Sequence, residues 1–295
     1  MGRWQRSAPE VALLIVVGLW ASTFVVTKGL YDELTPLAFT GVRFTMIACL
    51  AVGVMVVRSQ RSGGIPRMDR ADAGRFALAG ALGYTLYQLG FVLGLERTSP
   101  FSSSLLIAMV PLFTTIMLTI AGTPAPRRAW IGLAIAILGV IIFLADKRGG
   151  GSTRGDLLSL GAAVSFAGYG IVTRPLVRAY PAETYTAYSV VAGTVPLLVI
   201  ATPAMLAQDW GAVSGRAWLA IVYLSIFPVY IAYQLWNWAI ARRGVVAASG
   251  FSLLVPVVSG ILSALVVGER FGLLKVIGAG LVLLGLMVLR RRPAR

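Results

Sequence analysis

The chain has 295 residues, 58% of them hydrophobic and 13% charged, with a mean hydropathy of +0.83. A water-soluble domain carries about 25% charged residues, so this composition excludes an ordinary soluble fold and points to lipid as the solvent. The net charge of +15 does not indicate nucleic acid, because Lys and Arg fall in short clusters between apolar runs rather than along one face.

A membrane-crossing helix needs about 20 apolar residues. The first run, 11–30, is longer than a signal-peptide core and lacks a small-residue cleavage pattern, which predicts a retained helix. Runs at 36–57, 74–95, 100–121 and 128–145 make five spans. A second five follow at 156–173, 182–203, 216–238, 246–267 and 273–289, with Pro196 and Pro203 interrupting the seventh. With the N-terminus in the cytoplasm, seventeen of the 26 basic residues fall inside and eight outside, three of the latter, Lys147, Arg148 and Arg154, in one outer loop, while Arg43 lies within a span. The expectation is a multi-pass protein of the bacterial plasma (inner) membrane with both termini cytoplasmic.

A shift of 146 positions aligns Val26-Thr27-Lys28 with Val172-Thr173-Arg174, and Tyr84, Tyr87 and Gln88 with Tyr230, Tyr233 and Gln234. The fold class predicted is therefore all-α integral membrane, with ten transmembrane helices as two five-helix repeats, 1–146 and 147–295. An odd number of spans per repeat makes the second copy enter from the opposite side, the inverted plan of many secondary transporters.

Trp20-Ala-Ser-Thr-Phe24, Arg43-Phe44, Pro111-Leu-Phe113, Pro256 and Gly268-Glu269-Arg270 together resemble the drug/metabolite transporter superfamily, in its ten-span form of two EamA-type domains. The resemblance covers nearly the whole chain. It implies that spans one to four and six to nine surround a central cavity, with spans five and ten packed outside. The aromatic spans look most like the amino-acid and metabolite exporter branch. The first half departs from the pattern at Gly122-Thr-Pro-Ala-Pro126, where the family's usual Gly-Glu-Arg is missing.

Tyr84, Tyr87, Gln88 and Phe91 fall at i, i+3, i+4 and i+7 and share one helical face, repeated as Tyr230, Tyr233, Gln234 and Asn237. Phenols and amides in hydrocarbon need partners, so these faces are expected to line a wet midplane cavity or to bond helix to helix. Trp20, Thr23 and Thr27 form a stripe matched by Phe166, Tyr169 and Thr173, assigned to the same cavity. Ser252 belongs to the expected substrate-binding set, although the serines of spans four and nine also suit close helix packing. Pro111 and Pro256 are candidate gating hinges. Arg43 is the one charge well inside a span. It either holds a substrate carboxylate, orients the cavity wall, or bonds backbone carbonyls. Gly132, Gly139, Gly278 and Gly285 recur at seven-residue spacing, which suits close packing of spans five and ten.

The chain contains no His and a single cysteine, Cys49, which excludes imidazole chemistry and an intramolecular disulfide framework. No carboxylate pair lies at mid-span. An enzyme, a cofactor and a metal site are therefore not expected. The partners expected are a small-molecule substrate and the lipid bilayer, with the chain a monomer or weak homodimer. The leading reading is a secondary transporter exporting amino acids, aromatic or neutral, by alternating access; the alternatives are a multidrug or aromatic-cation exporter and a lipid flippase.

Overall fold

The computed structural model describes residues 3–61, 64, 67–146, 152–243 and 251–290, and every element among them is helical. Eight helices are long and apolar enough to cross a membrane: α1 (Ala8–Leu30), α2 (Pro36–Gln60), α3 (Arg70–Arg97), α4 (Pro100–Ile120), α5 (Arg127–Ala145), α6 (Thr153–Val172), α7 (Ala182–Ala207) and α8 (Gly215–Trp236). Two shorter apolar helices, α9 (Leu254–Val267) and α10 (Leu273–Leu289), complete the set. The chain is an all-helical, multi-pass membrane protein built of two inverted five-helix repeats.

Burial follows from lipid as solvent. Ile120 and Leu206 are each 82% exposed and Leu265 is 78% exposed, so large apolar side chains face outward. Small and polar residues such as Ser103, Thr184 and Ser259 are fully enclosed. In hydrocarbon, helices associate through close packing and polar contacts rather than through the hydrophobic effect.

The helix pairings obey one pseudo-twofold axis. Helix α1 packs on α8 and α9, as α6 packs on α3 and α4; α3 meets α7 as α8 meets α2. The pairs α2–α7, α4–α9 and α5–α10 map onto themselves. The last of these stands on the predicted glycines. A Cβ at Gly132 would come within 2.6 Å of the Gly285 carbonyl, and one at Gly278 within 2.7 Å of the Gly139 carbonyl. That close approach uses up the small-residue faces within one chain.

Three local departures from α-helix matter for the interior. Helix α4 is interrupted at Ala108–Met109, where Pro111 withholds the N–H that the Ile107 carbonyl would accept. In the second repeat the helix Leu254–Leu262 begins after Leu253, just ahead of Pro256. Helices α3 and α8 each contain a π-helical turn, at Ala81–Leu86 and Phe227–Ile231, at positions matched by the 146-residue offset. The two prolines of α7 behave otherwise: Ala182–Ala207 is one uninterrupted helix with Pro196 and Pro203 inside. This corrects the expectation of an interruption there, and neighbouring helices make such prolines tolerable in a membrane.

Candidate functional site

Trp20, Tyr84, Tyr87, Tyr169 and Tyr233, part of the predicted site set, make ring contacts between the repeats near the π-turns of α3 and α8. On one side the α8 ring of Tyr233 meets Trp20 of α1 edge-on, with centroids 5.9 Å apart. On the other, Tyr87 of α3 meets Phe166 of α6 at 4.9 Å. Trp20 and Phe166, and Tyr87 and Tyr233, are counterparts at the same offset, so the duplication has preserved the same aromatic contact twice, each time between the two repeats. Trp20 also packs on Trp236 at 5.1 Å.

The walls differ in hydroxyl content. Tyr84 and Tyr169 share a hydrogen bond of 3.2 Å, and Tyr169 is bonded in turn to Tyr185 of α7. This three-tyrosine chain has no twin, because the counterparts of Tyr169 and Tyr185 are Thr23 and Phe39. Tyr233 of α8 is 49% exposed.

Gln88 is 3% exposed, and its amide nitrogen has no hydrogen-bond partner among the described residues. An unmet buried donor costs about 1–3 kcal/mol.

Arg43 is 5% exposed and donates from Nη2 to the Leu224 carbonyl at 3.1 Å. Pro228 explains the bond. It lacks the N–H that would otherwise close the helical turn onto Leu224, and the guanidinium supplies the missing donor from α2. The rings of Phe39 and Phe44 lie 5.9 and 6.0 Å from the guanidinium carbon. Trp20 donates its indole N–H to the Pro228 carbonyl at 3.1 Å. Two helices of the first repeat thus hold the π-turn of α8 from the side.

Other predicted residues are placed less centrally. The Thr23 hydroxyl bonds back to Leu19 of its own helix at 3.1 Å. Tyr230 is half-buried in the π-turn, and no hydrogen bond or ring contact to it occurs among the described residues. Gln234 is exposed, unlike its buried counterpart Gln88, so the two polar faces do not match in full. Ser252 is half-buried next to the break at Leu253. The side chain of Asn237 lies outside the described residues. Tyr185 and Pro228 were not among the predicted site residues. The tyrosine-rich start of α7 was the available signal for Tyr185, and a proline aligned with a non-proline, Leu82, was the signal for Pro228.

Comparison with known proteins agrees with this architecture. The model of the EamA-like transporter family matches residues 8–145 and again 153–291. A "probable terminal-alkyne amino-acid exporter" of Streptantibioticus cattleyicolor is 29% identical over 287 residues, covering 95% of this chain and 93% of that protein. A "probable amino-acid metabolite efflux pump" of Escherichia coli (strain K12) is 25% identical, over 96% of this chain and 94% of that one. A solved crystal structure superposes with a TM-score of 0.63 at 20% identity over 96% of each chain, which shows the shared fold. Two matches of the family model, one in each half, establish that the chain belongs to the EamA-like transporter family.

Proposed function

We propose that the protein is a secondary carrier that exports small metabolites, namely neutral or aromatic amino acids, across the bacterial plasma membrane, with both termini in the cytoplasm. The observation that supports this reading is the repeated aromatic pair, Trp20–Tyr233 and Phe166–Tyr87, made at equivalent contacts between the two repeats. Sites of this kind form at repeat interfaces near the midplane. Flat rings bind apolar side chains, while the tyrosine hydroxyls and the Gln88 amide offer hydrogen bonds to an amino or carboxyl group. Two relatives carry names that refer to amino-acid export, which agrees in chemical class.

In this reading Trp20, Tyr84, Tyr87, Gln88, Tyr169 and Tyr233 contact the solute, with Thr23, Tyr230, Gln234 and Ser252 at the margins. Arg43 orients the wall by fixing the π-turn of α8. Pro111 and Pro256 mark the points where α4 and α9 bend as the repeats rock. The test is counterflow in proteoliposomes preloaded with unlabelled solute. Labelled neutral and aromatic amino acids should accumulate, and quaternary amines should not. Accumulation of the amines alone would replace this reading with a cation exporter.

A further inference from the structure

Lys28 and Arg174 occupy equivalent positions in the two repeats, yet their surroundings are opposite. The Lys28 ammonium donates to the carbonyls of Leu95, Glu96 and Thr98 at 2.8, 2.8 and 3.0 Å. All three of its protons are used. These acceptors lie in the final turn of α3 and just beyond it, where carbonyls lack helical partners and the helix dipole is negative. The carboxylates of Glu96, Asp32 and Glu269 are near enough to add attraction. The same end of α3 is tied to α6 in the other repeat: the Ser152 N–H donates to the Arg97 carbonyl at 2.9 Å, and the Thr98 hydroxyl to Asp156 at 2.7 Å. Lys28 thereby ties α1 to the end of α3 that is itself bonded to α6.

Arg174 stands at the end of α6, exposed, and donates to no described residue. The counterparts of Leu95 and Glu96 are Ala241 and Arg242, in the helix Ala232–Arg243 that continues α8.

We infer that Lys28 and Arg174 are alternating latches. Lys28 seals its end of the carrier by docking on the last carbonyls of α3, and Arg174 docks on those of α8 when the opposite end closes and Lys28 lets go. The inference rests on the alternating-access reading above, and an inverted repeat makes it specific: each state of one half is the expected other state of its twin. A ligand or contact shifts such an equilibrium only by its differential stability in the two states. Lys28 has that property, because its three bonds exist only while α1 and α3 are together at this end.

The test uses the full chain in sealed proteoliposomes, in a Cys49→Ser background with Thr23→Cys as reporter. A membrane-impermeant maleimide is added to one side at a time, and Asp32→Cys identifies the side on which Lys28 lies. Lys28→Met should raise reporter labelling from the Lys28 side relative to the other side by about tenfold. Lys28→Arg should keep the original ratio, which separates latch loss from misfolding. Arg174→Met should shift the ratio in the opposite direction. An unchanged ratio in Lys28→Met, or shifts in the same direction for Lys28→Met and Arg174→Met, would overturn the latch. The labelling needs no substrate, so the latch can fail while amino-acid counterflow succeeds, and the reverse.

Discussion

The seam between α3 and α6 and the seam between α8 and α1 are the same contact made twice, and they are built differently. At the first, backbones touch: a Cβ at Gly94 would lie 2.7 Å from the Ser159 hydroxyl, and one at Gly90 would lie 2.8 Å from the Leu158 carbonyl. At the second, the positions equivalent to Gly90 and Gly94 are Trp236 and Ile240, and that of Gly155 is Pro9. Trp236 fills the space with a ring against Trp20, among Leu13, Ala239 and Phe251. The duplicated helices have kept their partners and changed their packing. The tight seam is the one that Lys28 caps. The ring-filled seam lines the interior with the aromatic surface a solute would use.

The largest effect should come from breaking the tight seam. Gly94→Leu puts a side chain into the backbone of α6, and overpacking of this kind costs about 3 kcal/mol. A thermal-unfolding scan in detergent should show a clear loss of stability, and unchanged stability would remove the distinction between the seams.

The next concerns the wall of α8. Arg43→Met leaves the Leu224 carbonyl without a donor, a loss of about 2 kcal/mol. Pro228→Ala restores an N–H in the same helix, so the double variant should recover part of that loss in a double-mutant cycle. Transport of charged and uncharged solutes should fall together in Arg43→Met. A loss confined to carboxylate-bearing solutes would instead place the guanidinium on the substrate.

Smaller effects should distinguish the two aromatic pairs. Trp20→Ala and Phe166→Ala each remove two ring contacts, about 1 kcal/mol apiece, and each should raise the KM for an aromatic amino acid by about fivefold. Trp20→Ala should cost more than Phe166→Ala because the Pro228 carbonyl also loses its indole donor.

The smallest effect lies outside the membrane. Hydrogen bonds from the N–H and hydroxyl of Ser214 hold the Glu33 carboxyl below the ordinary glutamate value of 4.5. Its contribution to stability is therefore present above that value and is lost as pH falls through the lower folded-state value. Glu33→Gln should flatten the acid limb of stability measured below pH 4.5 and leave neutral pH nearly unchanged.

The spans, the offset between repeats and the stripe through Tyr84, Tyr87 and Gln88 were legible in the sequence because each is a periodic pattern of hydropathy or residue type. The π-turns were not legible. A single extra residue in a helical turn leaves hydropathy unchanged, and it re-aims side chains such as Tyr230, so that a face drawn on an ideal helix no longer holds. Gln234 is exposed where Gln88 is buried although both follow matched π-turns, so that difference lies in the neighbouring helices and has no local signal. Tyr185 escaped because its partnership with Tyr169 is tertiary and has no counterpart in the other repeat. The role of Arg43 depended on a carbonyl freed by Pro228 on a distant helix, and no local pattern encodes that pairing.

The most direct measurement is counterflow of labelled aromatic amino acids into proteoliposomes carrying the unaltered chain, Tyr87→Ala or Tyr233→Ala, matched for folded protein. Uptake by the unaltered chain, with comparable loss in both variants, is the result predicted for a carrier whose solute path runs between mirrored aromatic walls. Undiminished uptake in both variants would place that path elsewhere and contradict the account.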